Sequence, residues 1–267
     1  MIHIVARTFW GHRVALLLMA LGLASLNLLI PLTFTALPEG MAQQFLQRAP
    51  RGLQAFMKTS GDLASAFTPD GYTAFGYRHP IYLIILSGFV ISAAGSAMAR
   101  EIERGTIFLL LARPLPRYTL VMGKAMEALL SLVILTGAAF LGTAIGAAIA
   151  HLEPFHLARF VLVSGYALCL FLAIGGYSFL ISALTSDGGK ATGIAAGLSV
   201  LFFLMDFLAE LWPVTEFLGP LSPFHYYNPS QVALRGVVPW RDVAVLLSIA
   251  GGTYAASLVV FQRRDIP

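Results

Sequence analysis

The stretch ALLSLVILTGAAFLGTAIGAAIA, residues 128–150, runs for 23 residues without one Asp, Glu, Lys or Arg. As an α-helix it is about 35 Å long, and the hydrocarbon core of a bilayer is about 30 Å thick. In water such a helix would expose apolar surface on every side. In lipid its backbone groups are satisfied internally and its side chains meet a matching solvent. It reads as a membrane span, extended on its N-terminal side to 125–150. Moving outward, the same reasoning finds five more. Residues 14–35, 81–99 and 160–185 carry no charged group, 191–211 takes in Asp206 and Glu210 near one end, and 243–261 completes the set. The first span follows basic residues, as a signal peptide does. It is longer than a signal h-region, however, and Leu37-Pro38-Glu39 offers no small-residue cleavage site. It is read as a retained span.

The composition agrees. Of 267 residues, 58% are hydrophobic and 11% charged, against about 45–50% and 25% in soluble domains. Too few charges are present to solvate a soluble surface, and too much apolar mass for a disordered chain. Nucleic-acid binding is excluded on the same ground, despite a net charge of +4. A single cysteine, Cys169, excludes an internal disulfide framework and any CxxC motif. No repeat or linker divides the chain, so residues 1–267 are expected to form one all-α integral membrane domain.

Six spans place both termini on one side. The segments sharing that side, 1–13, 100–124, 186–190 and 263–267, hold ten basic residues in 48 positions, and the opposite segments hold seven in 83. The positive-inside rule then makes the termini cytoplasmic. The longest opposite loop, 36–79, has apolar residues Met41, Phe45, Leu53, Phe56 and Met57 at near-helical spacing between polar ones. Two readings stand: a helix along the outer membrane surface over 39–59, or a folded exterior loop, with Pro50 and Gly52 breaking a continuous helix.

Residues 100–124, REIERGTIFLLLARPLPRYTLVMGK, carry more than hydropathy. Four charges in five residues leave the second span, Gly105-Thr106 follows, then an apolar run, then Pro114, Pro116, Arg117 and Lys124. A short helix with an acidic start, bounded by Gly and Pro, suits a position across the cytoplasmic surface. There Glu101 and Glu103 favour the helix dipole and offer carboxylates to basic groups of a soluble partner. The plain alternative is an interfacial loop that caps two spans.

This segment resembles the first cytoplasmic loop of permease subunits of the ABC type 2 exporters, a group that includes NosY-like and antibiotic-efflux permeases. The resemblance rests on Glu101 or Glu103, Gly105, Thr106, Leu110, Leu111, Pro114, Arg117, Gly123 and Lys124. It extends to an amphipathic N-terminal segment over 1–13, to Ser222-Pro223-Phe224-His225-Tyr226-Tyr227-Asn228-Pro229, similar to an outer reentrant region, and to the ending Phe261-Gln262-Arg263-Arg264-Asp265. The N-terminal segment departs from many relatives in having no acid over residues 2–10.

The resemblance implies a multi-pass subunit of the bacterial inner membrane with an amphipathic N-terminal helix, a cytoplasmic coupling helix and an outer reentrant region. Two P-loop ATPase subunits would dock on Glu101, Glu103, Arg104, Gly105, Thr106, Pro114 and Arg117. A second permease copy or a homologue would complete the pathway. No cofactor is expected on this chain. ATP and Mg would sit on the partner ATPase, because neither Gly123-Lys124 nor Gly189-Lys190 has the upstream Gly and following Ser or Thr of a phosphate-binding loop.

Other polar residues read less sharply. Glu127 is expected to pair with Lys124 at i, i+3. Asp206 and Glu210, at i, i+4, are candidates for the substrate path by virtue of lying within a span. The histidines show no metal-ligand spacing. Gly142-x-x-x-Gly146 and Gly193-x-x-x-Gly197 permit close helix approach, inside one subunit or at a dimer seam. Against the exporter stand an ATP-independent secondary transporter and a polytopic membrane enzyme. The first would need midplane charges or repeated halves, and the second convergent acid, base or nucleophile groups. The chain shows neither pattern.

Overall fold

A computed structural model describes residues 2–36, 67–106 and 117–264, apart from the side chains of residues 2–8, Ser96 and Arg117. Its regular elements are helical throughout the described residues: α1 (Ile2–Thr35), α2 (Pro69–Ala74), α3 (Pro80–Ala97), α4 (Ala99–Glu103), α5 (Arg117–Ile149), α6 (Leu157–Leu184), α7 (Gly188–Leu211), α8 (Pro229–Arg235) and α9 (Trp240–Arg263). Short 3-10 turns lie at Phe75–Tyr77, Pro213–Leu221 and Pro223–Tyr226. Six segments are long and apolar enough to cross a membrane: Phe9–Thr35, Pro69–Gly95, Tyr118–Ile149, Leu157–Leu184, Gly188–Leu211 and Trp240–Arg263. Six crossings return the chain to the face from which α1 started, here called the terminal face.

The amphipathic N-terminal segment is not a separate helix. It is continuous with the first span in α1, because no proline stands between Ile2 and Pro31 to break the backbone ladder. The helix that holds the third span, 125–150, starts at Arg117, ahead of the span. The expected surface helix over 39–59 lies outside the described residues, as does the apolar part of the expected coupling helix.

Helix α6 is the centre of the bundle. Phe160, Tyr166, Leu170, Phe171, Ile174 and Phe179 are all buried along it. Against α9 the approach is close at Gly176, where a Cβ would overlap the Thr253 hydroxyl. Toward the face opposite the terminal one, Tyr77, Tyr82, Phe160, Phe171, Tyr166 and Tyr227 pack ring to ring at 5.3–6.0 Å in four pairs. Aromatic pairs at such distances prefer tilted or edge arrangements, and these are tilted or edge-on.

Pro80 starts α3 where its missing N–H costs nothing, and His79 caps it through Nδ1, which accepts from Ile81 N at 3.3 Å. The helix ends at Met98, whose backbone (φ −125°, ψ −53°) leaves the helical region. The freed amides of Met98 and Ala99 donate to Ser182 Oγ of α6 at 3.4 and 3.1 Å. Buried amides at a helix break need such a partner, so Ser182 fixes where α3 stops and where α4 points.

Candidate functional site

Helix α4 and the residues after it carry the sequence's informative segment. Gly105 adopts φ +66°, the left-handed conformation that glycine takes at helix ends without a Cβ penalty. Its N–H donates to Ile102 O at 3.0 Å, and Arg104 N–H to Arg100 O at 3.1 Å. The glycine is thus the stop of α4. Thr106 folds back, its hydroxyl bonding the Glu101 carbonyl at 3.2 Å and also the Glu101 carboxylate. Arg104 is exposed. Pro114 lies outside the described residues, and Arg117 is placed as the first residue of α5.

Both carboxylates offered to a partner by the sequence have partners within the chain. Glu101 Oε1 receives Lys124 Nζ of α5 at 3.3 Å, a half-buried pair. Glu103 Oε2 accepts from the backbone N–H of Gly188, the first residue of α7, at 2.9 Å. Residues two apart on a helix point about 200° from each other, so the two acids reach in opposite directions. The first turn of α7 presents unpaired N–H groups and a positive partial charge. Asp187 caps a second of these amides, accepting from Lys190 N at 2.8 Å.

The expected i, i+3 pair between Glu127 and Lys124 does not form. Lys124 is drawn to Glu101, while Glu127 is buried to 3% exposure and receives Ser131 Oγ, one turn further along α5, at 3.3 Å. Helical spacing permits a pair; a carboxylate arriving from another element can outcompete it.

Asp206 and Glu210 lie at the opposite end of α7, in a second polar cluster. Arg78 Nη2 is 3.3 Å from Asp206 Oδ2 and 4.0 Å from Glu210 Oε1, with the Arg78 and Asp206 side chains 6% and 1% exposed. Arg78 Nη1 also donates to Tyr227 O at 3.1 Å, and His225 Nδ1 lies 3.7 Å from Asp206 Oδ1. Burial holds the Tyr227 hydroxyl well above the ordinary tyrosine range, with Tyr77 and Tyr166 beside it. It stays a neutral donor, to Tyr77 O at 3.1 Å. A neighbouring cluster joins the same face: Asp70 of α2 accepts from His156 N at 3.0 Å, meets His156 Nδ1 at 2.6 Å and lies 3.6 Å from Arg159. Arg159 donates onward to Ala233 O and Leu234 O of α8 at 3.1 and 2.7 Å.

Arg78, Asp70, Ser182 and Gly188 were not legible as site residues, because the groups they meet lie 83 or more positions away along the chain; His225 meets Asp206 across 19 positions, over the turns that follow α7. Only Arg78 carried a local signal, a lone cation wedged between Tyr77 and Pro80 at the foot of a charge-free span. Among the described residues no three His, Cys, Asp or Glu side chains converge as a metal site. The contacts are of a mechanical kind, fixing the ends of helices to one another.

The family model for ABC-2 family transporter proteins matches residues 3–266. The chain is also 35% identical over 205 residues, 65% of its own length, to a probable ABC transporter permease protein, NosY, of Pseudomonas aeruginosa, and covers 74% of that protein. Six apolar helices, long enough to cross a bilayer, carry that match from end to end. The chain belongs to the ABC-2 transporter family and is a multi-pass transmembrane permease.

Proposed function

We propose that this permease forms the substrate pathway of an ATP-driven exporter of the bacterial inner membrane. Its terminal face is cytoplasmic, and two separate P-loop ATPase subunits dock there on the segment 100–117. One observation carries the reading. Helix α4, which leads straight into that segment, is bonded at Glu101 to α5 and at Glu103 to α7. A load applied there reaches two spanning helices. A second permease copy, or a homologue, packs against the face of α7 formed by Gly193, Ala196, Gly197, Val200, Leu201 and Leu204, which its own subunit leaves exposed. Energetically, the ATPase drives the permease only by binding its two conformations with different affinity.

Because Glu101 and Glu103 have partners inside the chain, the docking test belongs on the cations that follow. Arg113→Glu with Arg117→Glu reverses two charges on the loop, and like-charge juxtaposition across an interface costs a few kcal/mol. Capture of the partner P-loop ATPase should weaken by about tenfold or more. Arg48→Glu with Arg51→Glu, on the opposite loop, should leave capture unchanged. Nucleotide hydrolysis by the purified chain alone, or equal capture by both double variants, overturns the reading.

A further inference from the structure

We propose that Glu103 is a positioning residue that transmits movement of the docking segment to α7, and not a charge that binds the ATPase. The inference rests on the reading of the chain as an ATPase-driven permease. Its basis is the joint between α4 and α7. Gly188 is buried, and its amide finds the Glu103 carboxylate where an exposed helix start would find water. The joint is close as well as polar: a Cβ on Gly188 would lie 2.9 Å from Arg100 Cβ, and one on Gly95 of α3 would overlap the Thr192 hydroxyl of α7. On its other side α4 is braced, since Ser182 of α6 holds the Met98 and Ala99 amides. No slack separates α4 from the first turn of α7.

The far end of α7 is pinned to the same arm of the chain. Arg78, just ahead of α3, holds Asp206 in a buried pair. From Gly188 to Asp206 is about 27 Å of helix, close to the thickness of a bilayer core. Helices α3 and α7 are therefore joined by polar contacts at both ends; between these, one face of α7 packs inward through Ala191, Ala195 and Ser199, and the other is the exposed stripe. A displacement of α4 cannot be absorbed at its junction with α7. It passes along the pair as a rigid strut and moves the stripe on which the second permease copy packs.

The test separates charge from reach. Glu103→Gln keeps an acceptor oxygen at the same distance and loses the charge. Glu103→Asp keeps the charge and falls one methylene short of Gly188 N. The complex of permease and ATPase is placed in liposomes with Cys169→Ser and a reporter cysteine at Trp212, the exposed residue that ends α7. The reporter's rate of reaction with a membrane-impermeant maleimide is compared with and without ATP and vanadate. With ATPase capture equal in all three proteins, the nucleotide-dependent change should persist in Glu103→Gln and fall by about fivefold or more in Glu103→Asp.

The opposite order, with Gln losing ATPase capture and Asp retaining both capture and response, makes Glu103 a docking charge and overturns the inference. A full response in both variants overturns it too. If the parent complex ignores nucleotide, the ATP-driven reading fails, and hydrogen exchange on the subunit alone decides the contact. The Gly188 amide should then be as protected in Gln as in the parent and exchange about tenfold faster in Asp. Equal exchange in all three overturns the inference.

Discussion

Helices α5 and α7 carry the same Gly-x-x-x-Gly spacing and are held in the subunit in different ways. On α5, Gly142 and Gly146 face α1 backbone to backbone, so that a Cβ on either would overlap the carbonyl oxygen of Ala24 or Leu28. On α7, a Cβ on Gly193 or Gly197 would meet nothing within 4 Å among the described residues. Helix α5 is held along its length by dispersion contacts that only small residues allow. Helix α7 is tied at its two ends by charged groups, Glu103 on Gly188 and Arg78 on Asp206; between them one face packs through Ala191, Ala195 and Ser199, which bonds Tyr177 of α6, and the opposite stripe is exposed. A small-residue motif specifies how near a partner can come, not which partner comes. Contacts spread along a helix fail by degrees, whereas a buried charge pair fails at once.

The largest effect is therefore expected at the end of α7 away from the terminal face. Arg78→Met removes the cation and leaves the Asp206 carboxylate buried without it, and breaking one side of a buried pair costs about 3–5 kcal/mol. Denaturant unfolding of the detergent-solubilised subunit should show that loss. Replacing both partners, Arg78→Met with Asp206→Leu, should recover most of it, since no buried charge is then stranded. A loss below about 1 kcal/mol in the single variant would mean that the packed face of α7, rather than the charge pair at its end, holds it.

The second effect is smaller and belongs to α5. Gly142→Ala puts a methyl group against the Ala24 carbonyl oxygen, a backbone atom that cannot swing aside. The two helices must separate, and overpacking of this kind costs about 1–3 kcal/mol. The same unfolding measurement checks it. A neutral Gly142→Ala would show that α1 shifts along α5 without loss, and the contrast between the two helices would weaken.

How much of this was written in the sequence depends on whether a feature is local. The span at 128–150 is legible because length and lack of charge are properties of one continuous stretch. So is Gly105 as a boundary, because glycine's tolerance of positive φ acts at its own position. The family resemblance was legible in the short motif around Gly105 and Thr106, and the match over residues 3–266 bears it out. Pairing was not legible. Lys124 has an acid three residues on and uses one 23 residues back, because the fold brings Glu101 of α4 within its reach. Asp206 reads, with Glu210, as an acid within a span until Arg78, 128 positions away, is brought to it. Helix α2 could only be read as part of a long loop, yet Asp70, Gly71, Thr73 and Ala74 are all buried in it. The sequence shows which groups need a partner; folding decides which group arrives.

The smallest effect is expected on α7's bare stripe, and its smallness is what makes it informative. Gly193→Ala with Gly197→Ala adds two methyl groups where no described residue approaches within 4 Å. Stability of the isolated subunit should change by no more than about 0.5 kcal/mol, as for surface positions away from packed or polar features. Association of two copies should respond, because helix packing in lipid depends on close backbone approach and the added methyl groups hold the partner off. The measurement is cross-linking through Val200→Cys, on the same stripe, in a Cys169→Ser background. The yield should fall markedly in the glycine double variant while unfolding stays put. Unchanged cross-linking between copies would remove the second permease from this face. A stability loss above about 1 kcal/mol would instead mean that the chain's own residues cover the stripe, and α7 would then be held as α5 is.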